Sequence, residues 1–332
     1  MKNLLGIYVF GLAGISMSAF GAVGEYNEAT NTYHQSDYSD LYDDEYQSEL
    51  SYSESEVSTL SSSDSKGKIP LLSQTYYEYM GGMDCREGVG DIDVQQWMLD
   101  VNLWKATLGG WEVSATSSFR ASWFNGEGAE NLDIDRLYTI WLQANASCRV
   151  WNKTKLMLGL TPQVSTDFDT WTHHNIYVGA YAMFAGQLND KVSYGVGLAY
   201  SPQYGSFSFL PAGYFDWDTG NNWHLRLKGS RLSYTQHIGG FQWGPFFSVE
   251  SGTWTVKHSR RVRQFQWLSC VAGVGVDCSL GNWRGYQPRL MADLGFTFAN
   301  SGTIRTSNGN HELERYHYDP GLYLRVGMYF NF

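Results

Sequence analysis

The sequence contains only one long apolar run, and this shortage argues against a protein that crosses a membrane with helices. Of the 332 residues 43% are hydrophobic, but the one continuous apolar stretch, residues 4–17, lies at the N-terminus. Lys2 precedes it and a small-x-small sequence follows at residues 19–21, so residues 1–21 have the layout of a secretory signal peptide. Crossing ~30 Å of hydrocarbon takes about 20 apolar residues in a helix. Once the signal is removed, we expect the chain to be soluble or to cross a membrane as strands.

Cysteines are also few. They are Cys85, Cys148, Cys270 and Cys278. None has C-x-x-C or metal-site spacing, and disulfides persist in exported chains, so we expect one or two disulfides rather than a metal site or a catalytic centre. Cys270 and Cys278 would lie roughly 26 Å apart in one extended strand, so they can pair only across a tight hairpin. Gly273 and Gly275 favour that hairpin; pairing with more distant cysteines, or free thiols, is the alternative.

Basic residues are missing from one segment. Residues 25–65 carry 11 acidic side chains and no Lys or Arg, whereas the whole chain has 23 basic and 33 acidic residues, a net charge of −10. Residues 22–68 are dominated by Ser, Tyr and acid and cannot bury enough apolar area to offset the entropy of ordering, which predicts a disordered tail. The remainder is close to neutral, so nucleic acid is not an expected partner.

The C-terminal residues alternate between two faces. From Leu322 onward the even positions are all apolar and end in Phe330 and Phe332, whereas the odd positions, such as Arg325, are mixed. Successive side chains of a strand point to opposite faces, so one face is wholly apolar. This ending is similar to the terminal strand of outer-membrane proteins, and we expect Phe332 with Phe330 to be the assembly signal.

A second alternating segment carries tryptophans at both ends of one face. Trp111 and Trp123 share that face with Phe119 and small residues, while Arg120 lies opposite. At ~3.3 Å per residue and a tilt of ~40°, their separation spans roughly 30 Å along a barrel axis. This matches a lipid-facing band with an aromatic girdle at each rim.

These patterns predict an all-β fold: a transmembrane antiparallel β-barrel of about 12 strands (10–14) in residues 69–332, in the cell outer membrane. The predicted strands lie near residues 92–104, 111–124, 136–148, 152–160, 174–185, 190–200, 204–215, 223–237, 243–256, 265–278, 288–299 and 320–332. With the C-terminus periplasmic, the long segments 125–135 and 161–173 fall on the periplasmic side, where short turns are the rule. Ser73–Met80 is therefore a spare candidate strand.

Several short motifs recur in order through the middle of the chain. They are Gly159-Leu160-Thr161-Pro162, Thr166-Asp167-Phe168, Leu210-Pro211-Ala212-Gly213, Asn222-Trp223-His224-Leu225-Arg226-Leu227, Arg231-Leu232-Ser233-Tyr234 and Gly252-Thr253-Trp254-Thr255-Val256. Over roughly residues 150–275 the chain resembles a family of predicted outer-membrane barrels that carries only a domain-of-unknown-function name. The relatives often have Pro before the Arg-Leu-x-Tyr stretch, whereas this chain has residues 228–230, Lys-Gly-Ser. The resemblance implies a barrel and its location, and brings no catalytic residues and no cofactor.

Charged residues on the expected inner face define the candidate site. The basic members of the set are Arg120, Lys153, Lys155, His224, Arg226, Lys228, Arg289 and Arg325. The inward acids are Asp100, Glu112 and Asp293. Such charges either line a pore for small polar solutes, with weak anion preference, or pair with one another inside a plugged barrel. An acidic tail on the periplasmic side could also occlude the pore at low ionic strength, or simply space the barrel from its partners.

An enzyme is the third hypothesis, because some outer-membrane barrels modify lipids. The nearest catalytic candidates are Ser307-Asn308-Gly309 with His311, and Asp167 with Asp169 and His173-His174. Asn-Gly is turn chemistry, and Asp-x-Asp near His is common by chance, so we expect no catalysis. The expected partners are outer-membrane lipid and lipopolysaccharide, the barrel-assembly machinery and periplasmic chaperones.

A structural or surface-exposed barrel without transport is the second hypothesis, after the pore for small polar solutes and before the enzyme.

Overall fold

The computed structural model describes residues 71–88, 90–151, 153–169, 172, 175–201, 208–220, 222–281, 287–309 and 311–331. The predicted signal peptide, the acidic tail, His173, His174 and Phe332 lie outside these residues. Among the described residues, no helix is both long and apolar enough to cross a membrane.

The described residues form fifteen strands and one short helix, α1. The strands are β1 (Leu71–Asp84), β2 (Asp91–Leu108), β3 (Trp111–Asn125), β4 (Arg136–Trp151), β5 (Thr154–Thr166), β6 (Ile176–Asn189), β7 (Val192–Ser201), β8 (Ser208–Gly220), β9 (Trp223–Lys228), β10 (Arg231–Ile238), β11 (Phe241–His258), β12 (Arg261–Ser279), β13 (Gln287–Thr306), β14 (Glu312–Tyr318) and β15 (Leu322–Asn331), and α1 is Glu127–Asn131.

Fourteen of these strands close into an antiparallel barrel. β1 to β13 pair in chain order, β13 pairs with β15, and β15 pairs with β1 across Gln74–Tyr329 to Gly81–Leu322. β14 is the remaining strand and pairs only with the far half of β13, from Asn300–Tyr318 to Arg305–Glu312. Closure leaves no free edge in the ring, so the backbone polar groups of the wall find partners within the wall.

The barrel has 14 strands and not about 12, for two local reasons. Ser73–Met80, the spare candidate, lies within β1, and the predicted strand 223–237 is a hairpin of β9 and β10. The hairpin turns at Gly229, whose φ of 57° is left-handed, so a glycine suits that position. With 14 strands, the connections 125–135 and 161–173 lie at the same end of the barrel as 300–319. The predicted 12-strand barrel had placed these two long segments on the side of the short turns, and that conflict is removed.

The two ends of the barrel therefore differ in their connections. We call the end with the connections after β1, β3, β5 and β13 the loop end, and the opposite end the turn end. At the turn end β2 and β3, for example, are joined by only the two residues between Leu108 and Trp111.

The predicted alternation of the last strand is confirmed. Leu322 and Val326 are 53% and 49% exposed on the outer face, whereas Tyr323 between them is fully buried inside. The neighbouring strand β13 agrees, because its outward Leu294 is 60% exposed and its inward Asp293 only 4%. The outer face of this wall is thus a broad apolar surface, and the inner face carries the polar groups.

A hydrophobic core fills the loop-end half of the barrel interior. Trp254 of β11 and Phe265 and Trp267 of β12 are fully buried there, with Phe124 of β3 in edge contact with all three rings. Burial of each such side chain contributes about 1.5–3 kcal/mol, so this core is a main source of stability. Leu132, just after α1, belongs to the same core and covers it from the loop end.

The two faces should differ in their tolerance of charge. If the outer face lies in lipid, Val326→Arg near the bilayer centre should cost about 2–4 kcal/mol in unfolding free energy, measured by urea titration of the refolded protein in vesicles. Gln163→Arg, which adds the same side chain on the cavity-facing side of β5, is the matched control and should cost much less.

Gly327 and Tyr329 also stand on the inner face of β15, and strict alternation predicts that an arginine there would be tolerated, but the structure contradicts this. A Cβ at Gly327 would lie 2.5 Å from the Cβ of Tyr76, and the hydroxyl of Tyr329 donates a hydrogen bond to Asp277. Equal costs for Val326→Arg and Gln163→Arg would show that the outer face is not in lipid.

Candidate functional site

The barrel encloses a polar cavity of about 220 Å³ next to the hydrophobic core. Its walls come from β1, β3 to β5, β9 to β13 and β15, which include strands on opposite sides of the ring, so it lies inside the barrel. Polar side chains such as Gln74, Gln163 and Gln242 line it together with charged ones.

The most buried charged group of this cavity is Asp293, which two arginines share. Arg231 Nη1 and Nη2 donate to its two carboxylate oxygens at 2.7 and 2.9 Å. Arg325 Nε and Nη2 donate to Oδ2 at 2.9 and 2.7 Å. The Arg231 guanidinium also stacks on the ring of Phe246, 3.9 Å from its centroid, which adds a cation–π contribution. The charge of Asp293 is thus compensated by hydrogen bonds as well as by opposite charge.

This network lies flat along the wall because glycine makes room for it. Arg231 stands on β10 and Asp293 on β13, so the arginine side chain must pass over β11 and β12. A Cβ at Gly275 of β12 would lie 2.3 Å from Asp293 Oδ1 and 2.9 Å from Arg231 Nη2. Any larger residue there would push the ion pair off the wall and into the cavity.

A second set of ion pairs lies nearer the turn end. Asp277 accepts hydrogen bonds from Arg289 and from the hydroxyl of Tyr329. Arg226 Nε donates to Asp216 Oδ2 at 2.8 Å, with both side chains only partly exposed. These pairs distribute positive and negative charge around the inner wall.

Arg120 projects into the cavity from the opposite wall. Its Nη1 donates to the backbone oxygen of Ser251 on β11 at 3.2 Å, and its guanidinium lies 5.5 Å from the ring centroid of Trp141. Behind these groups Glu78 is buried and accepts a hydrogen bond from the hydroxyl of Tyr323 at 2.9 Å.

The structure brings most of the predicted basic residues to the inner wall. The inward set is Arg120, Lys155, His224, Arg226, Lys228, Arg289 and Arg325. Lys153 instead lies exposed in the connection between β4 and β5, outside the lumen. Lys155 pairs at 3.7 Å with Glu112, but both side chains are well exposed, so this pair contributes little.

Besides Glu78, four charged residues of the inner wall are not among those that alternation predicts to point inward. They are Asp216, Arg231, Glu250 and Asp277. Arg231 was missed because 223–237 was read as one strand, which would direct even positions inward along its whole length. The phase change offers a signal: outward apolar residues stand at Leu225 and Leu227 before the turn, and at Leu232 and Tyr234 after it.

One strand of the wall turns inward and narrows the cavity towards the loop end. β10 ends its pairing with β11 at Arg231–Ser248, so β11 continues without β10 as a neighbour. Thr255 of β11 then pairs in parallel with Thr166 of β5, a strand from across the barrel. Thr255, on the formally outward face of β11, is consequently fully buried.

Asp167 belongs to this contact. Its Oδ2 accepts a hydrogen bond from Lys257 N at 3.1 Å, and its own N–H reaches Thr255 O at 3.4 Å. The hydroxyls of Tyr177 and Thr255 are 3.2 Å apart. Asp167, one of the catalytic candidates, therefore links β11 to the end of β5.

The other catalytic candidates form a turn. Asn308 Oδ1 accepts from Thr306 Oγ1 at 2.7 Å, and Gly309 N donates to Thr306 O at 2.8 Å, which closes the β13–β14 hairpin. His311 N donates to the same Thr306 hydroxyl at 3.2 Å, and Ser307 O accepts from Gln264. Among the described residues, no three His, Cys, Asp or Glu side chains are grouped so that they could hold a metal ion.

Within the described residues, the four cysteines carry free thiols. They are Cys85, Cys148, Cys270 and Cys278. The predicted hairpin between Cys270 and Cys278 is wrong, because β12 runs unbroken from Arg261 to Ser279 and pairs along its length with β11. Cys148 lies on β4, across the ring from β12, and Cys85 lies at the loop end beside Tyr318.

A charged cluster at the loop end holds β14 against the connection that follows β1. Glu87 accepts hydrogen bonds from the backbone and from ring Nδ1 of His317, both at 2.8 Å. Burial alone would raise the pKa of the Glu87 carboxyl, but these hydrogen bonds outweigh it and lower the pKa to about 2. Arg86 and Asp319 add an ion pair of 2.7 Å in the same place.

Comparison with known proteins identifies the family. The family DUF6268, a domain of unknown function, matches residues 100–331. The chain belongs to this family. No curated protein is significantly similar to this DUF6268 protein in sequence.

Solved structures resemble the barrel at low sequence identity. They include the translocator domain of autotransporter NalP from Neisseria meningitidis, at 14% identity and TM-score 0.35, covering 79% of this chain and 89% of that one. OccK5 (OpdH) from Pseudomonas aeruginosa has 9% identity and TM-score 0.31, covering 79% and 98%. Similarities this weak carry no argument about what this chain carries or binds.

Gly275→Ala tests the Arg231–Asp293 ion pair, which lies along the inner wall over Gly275. The added methyl group would displace Asp293 and Arg231, so we expect a loss of about 1–3 kcal/mol in unfolding free energy, measured by urea titration of the refolded barrel. Gly240→Ala is the control, because a Cβ there meets only Ser279, at 4.0 Å. If both variants unfold at the wild-type urea concentration, Gly275 is not required by the network.

The loop-end cluster should loosen in acid. A carboxyl group with a folded pKa near 2 and an unfolded value of 4.5 stabilises the docked state above pH 4.5, and that contribution is lost as the pH falls towards 2. The protection factors of the β14 amides, which compare their exchange with the intrinsic exchange at the same pH, should therefore fall on going from pH 5 to pH 3. Glu87→Gln should abolish this dependence, whereas Glu130→Gln on α1 should retain it; exchange that is insensitive to Glu87 would contradict the assignment.

Proposed function

We propose that this protein is an outer-membrane barrel that passes small polar solutes through a narrow internal passage. Two features support the outer-membrane location. The outer face is a continuous apolar surface, with Leu160, Val196, Leu294 and Phe296 each 49–60% exposed, which a water-soluble protein rarely presents over such an area. The connections after β1, β3 and β5 and the added strand β14 share the loop end, as the long loops of barrels of that membrane share one side.

The single observation that carries the transport proposal is the polar cavity inside the ring. It extends from Asp277 and Tyr329 on the turn-end side, past Arg120, to Thr139 and Gln163 on β4 and β5. Beside Trp254 the interior is filled with apolar side chains, whereas at this level it is hollow and lined by polar ones. The polar lining favours hydrated or hydrogen-bonding solutes over apolar ones.

The contact between β11 and β5 is the narrowest part of the proposed passage. The cavity lies along Val249, Ser251 and Thr253 on the outward face of β11, and the Thr255–Thr166 pair lies directly beyond it. Opening towards the loop end requires this contact to separate.

A barrel without transport is the second candidate, and a specific observation favours it. The core around Trp254 and Trp267 fills much of the loop-end half, so the interior stabilises the ring whether or not solutes pass. A lipid-modifying enzyme remains a third proposal without a supporting constellation among the described residues.

Planar-bilayer recordings of the refolded mature protein should distinguish these functions. We expect small, steady openings for the wild type and a larger conductance for Asp167→Ala, because that variant removes the acceptor for Lys257 N. Asp169→Ala is the control, since it deletes the same charge from the same connection and should keep wild-type conductance. Silence of both the wild type and Asp167→Ala would overturn transport in favour of the second candidate.

A further inference from the structure

Two histidines lie side by side inside the barrel at its turn end. His224 is the second residue of β9 and His237 the last but one of β10, so both lie beside the short connections that follow β8 and β10. Their ring centroids are 4.5 Å apart, and the ring planes are inclined by 53°. His224 shares a face of β9 with Arg226, which lines the polar cavity. The pair therefore lies inside the barrel, between that cavity and the turn end.

Each of these rings has one buried nitrogen without a hydrogen-bond partner. Nδ1 of His224 and Nε2 of His237 are shielded from solvent, and neither has a partner in the part of the chain that the structure describes. A neutral imidazole carries one N–H donor and one nitrogen lone pair. Buried polar atoms without a partner are rare and mark an occupant such as water or an ion. Two such nitrogens on neighbouring rings form a candidate pair of ligands.

The spacing of the two rings suits ligands of a single metal ion. Imidazole nitrogens bind Zn²⁺ at ~2.0–2.1 Å, so two of them on one ion lie roughly 3 Å apart. Rings whose centroids are 4.5 Å apart reach this separation when the two nitrogens turn towards each other. No third His, Cys, Asp or Glu of the described residues completes a metal-binding group, so water would fill the remaining positions of the ion.

The charged side chains around the pair largely cancel. Arg226 and Arg289 both act on His237, and each is held by a carboxylate. Arg226 pairs with Asp216, and Arg289 pairs with Asp277. These two ion pairs leave no net positive charge that would repel a metal ion.

Asp218 adds a negative charge at the same place. It pairs directly with His224 across β8 and β9, and its Oδ1 accepts a hydrogen bond from Gly220 N at 2.8 Å. Its own N–H donates to Lys191 O at 2.8 Å, and the exposed side chains of Lys191 and Asp190 in that turn offset each other. The named charges around the histidines thus include one more acid than base, which favours a bound cation.

We propose that His224 and His237 bind a divalent transition-metal ion at the turn-end mouth of the barrel. Imidazole suits Cu²⁺, Ni²⁺ and Zn²⁺, whereas Mg²⁺ and Ca²⁺ prefer oxygen ligands. Cu²⁺ binds most tightly in the usual order of these metals. The proposal goes beyond the proposed function and does not rest on transport, because two residues of the wall bind the ion whether or not a solute passes.

Titration of the refolded mature protein with Cu²⁺, followed by electron paramagnetic resonance, tests the site. We expect a tight site whose signal is split by two nitrogen ligands and which excess Mg²⁺ does not displace. His224→Gln and His237→Gln should each weaken binding about tenfold or more, because each removes one of the two nitrogens. His311→Gln removes an exposed histidine from the β13–β14 turn and should leave binding unchanged. Heat-modifiable gel mobility shows that each variant is folded.

The double variant, His224→Gln with His237→Gln, gives the sharpest comparison. Loss of the two-nitrogen signal in this variant, with the signal retained in His311→Gln, supports the site. A wild-type titration in the double variant means that Cu²⁺ binds elsewhere on the chain and overturns the site, as does a wild-type signal without two nitrogens. Conductance in bilayers without Cu²⁺ binding overturns only the metal site, and binding without conductance overturns only the transport proposal.

Discussion

Closure of the ring by β1 and β15 is the constraint on which the rest of the molecule depends. Once the ring is closed, every second side chain points into an enclosed space, and its charge or hydrogen-bonding capacity has to be satisfied there. The chain meets this requirement in two ways. The loop-end half is filled with aromatic side chains around Trp254, and the remaining half distributes its charges as shared pairs such as Arg231–Asp293–Arg325.

The short β9–β10 hairpin determines how the two halves meet. Because β10 reaches no further towards the loop end than Arg231, the part of β11 after Ser248 is not paired with β10 and turns inward to Thr166 of β5. The same turn brings Lys228 and Arg231 to the inner face and leaves the outward face of β11 to line the cavity. One early turn thus produces the constriction and part of the cavity wall.

Much of this architecture could be predicted from local patterns, because a wall with one apolar face imposes strict alternation. Leu322 to Val326 and the inward arginines Arg120 and Arg325 follow directly from it. The turn at Gly229 was missed because residues on both sides alternate, and only a change of phase marks it. The pairing of Thr255 with Thr166 has no sequence signal, because it joins distant strands through two ordinary threonines. The role of Gly275 likewise becomes visible only when a side chain from β10 crosses β12.

The central claim is that the apolar outer face lies in lipid with the loop end outside the cell. Native cysteines test it directly, because Cys270 lies on the outer face of β12 and Cys85 at the loop end. Intact cells producing the protein would be treated with a bulky, membrane-impermeant maleimide, with a heat-unfolded sample as the reference for complete labelling. We predict modification of Cys85 and protection of Cys270 in the folded protein, and modification of both after unfolding. Labelling of Cys270 in the folded protein would contradict the account.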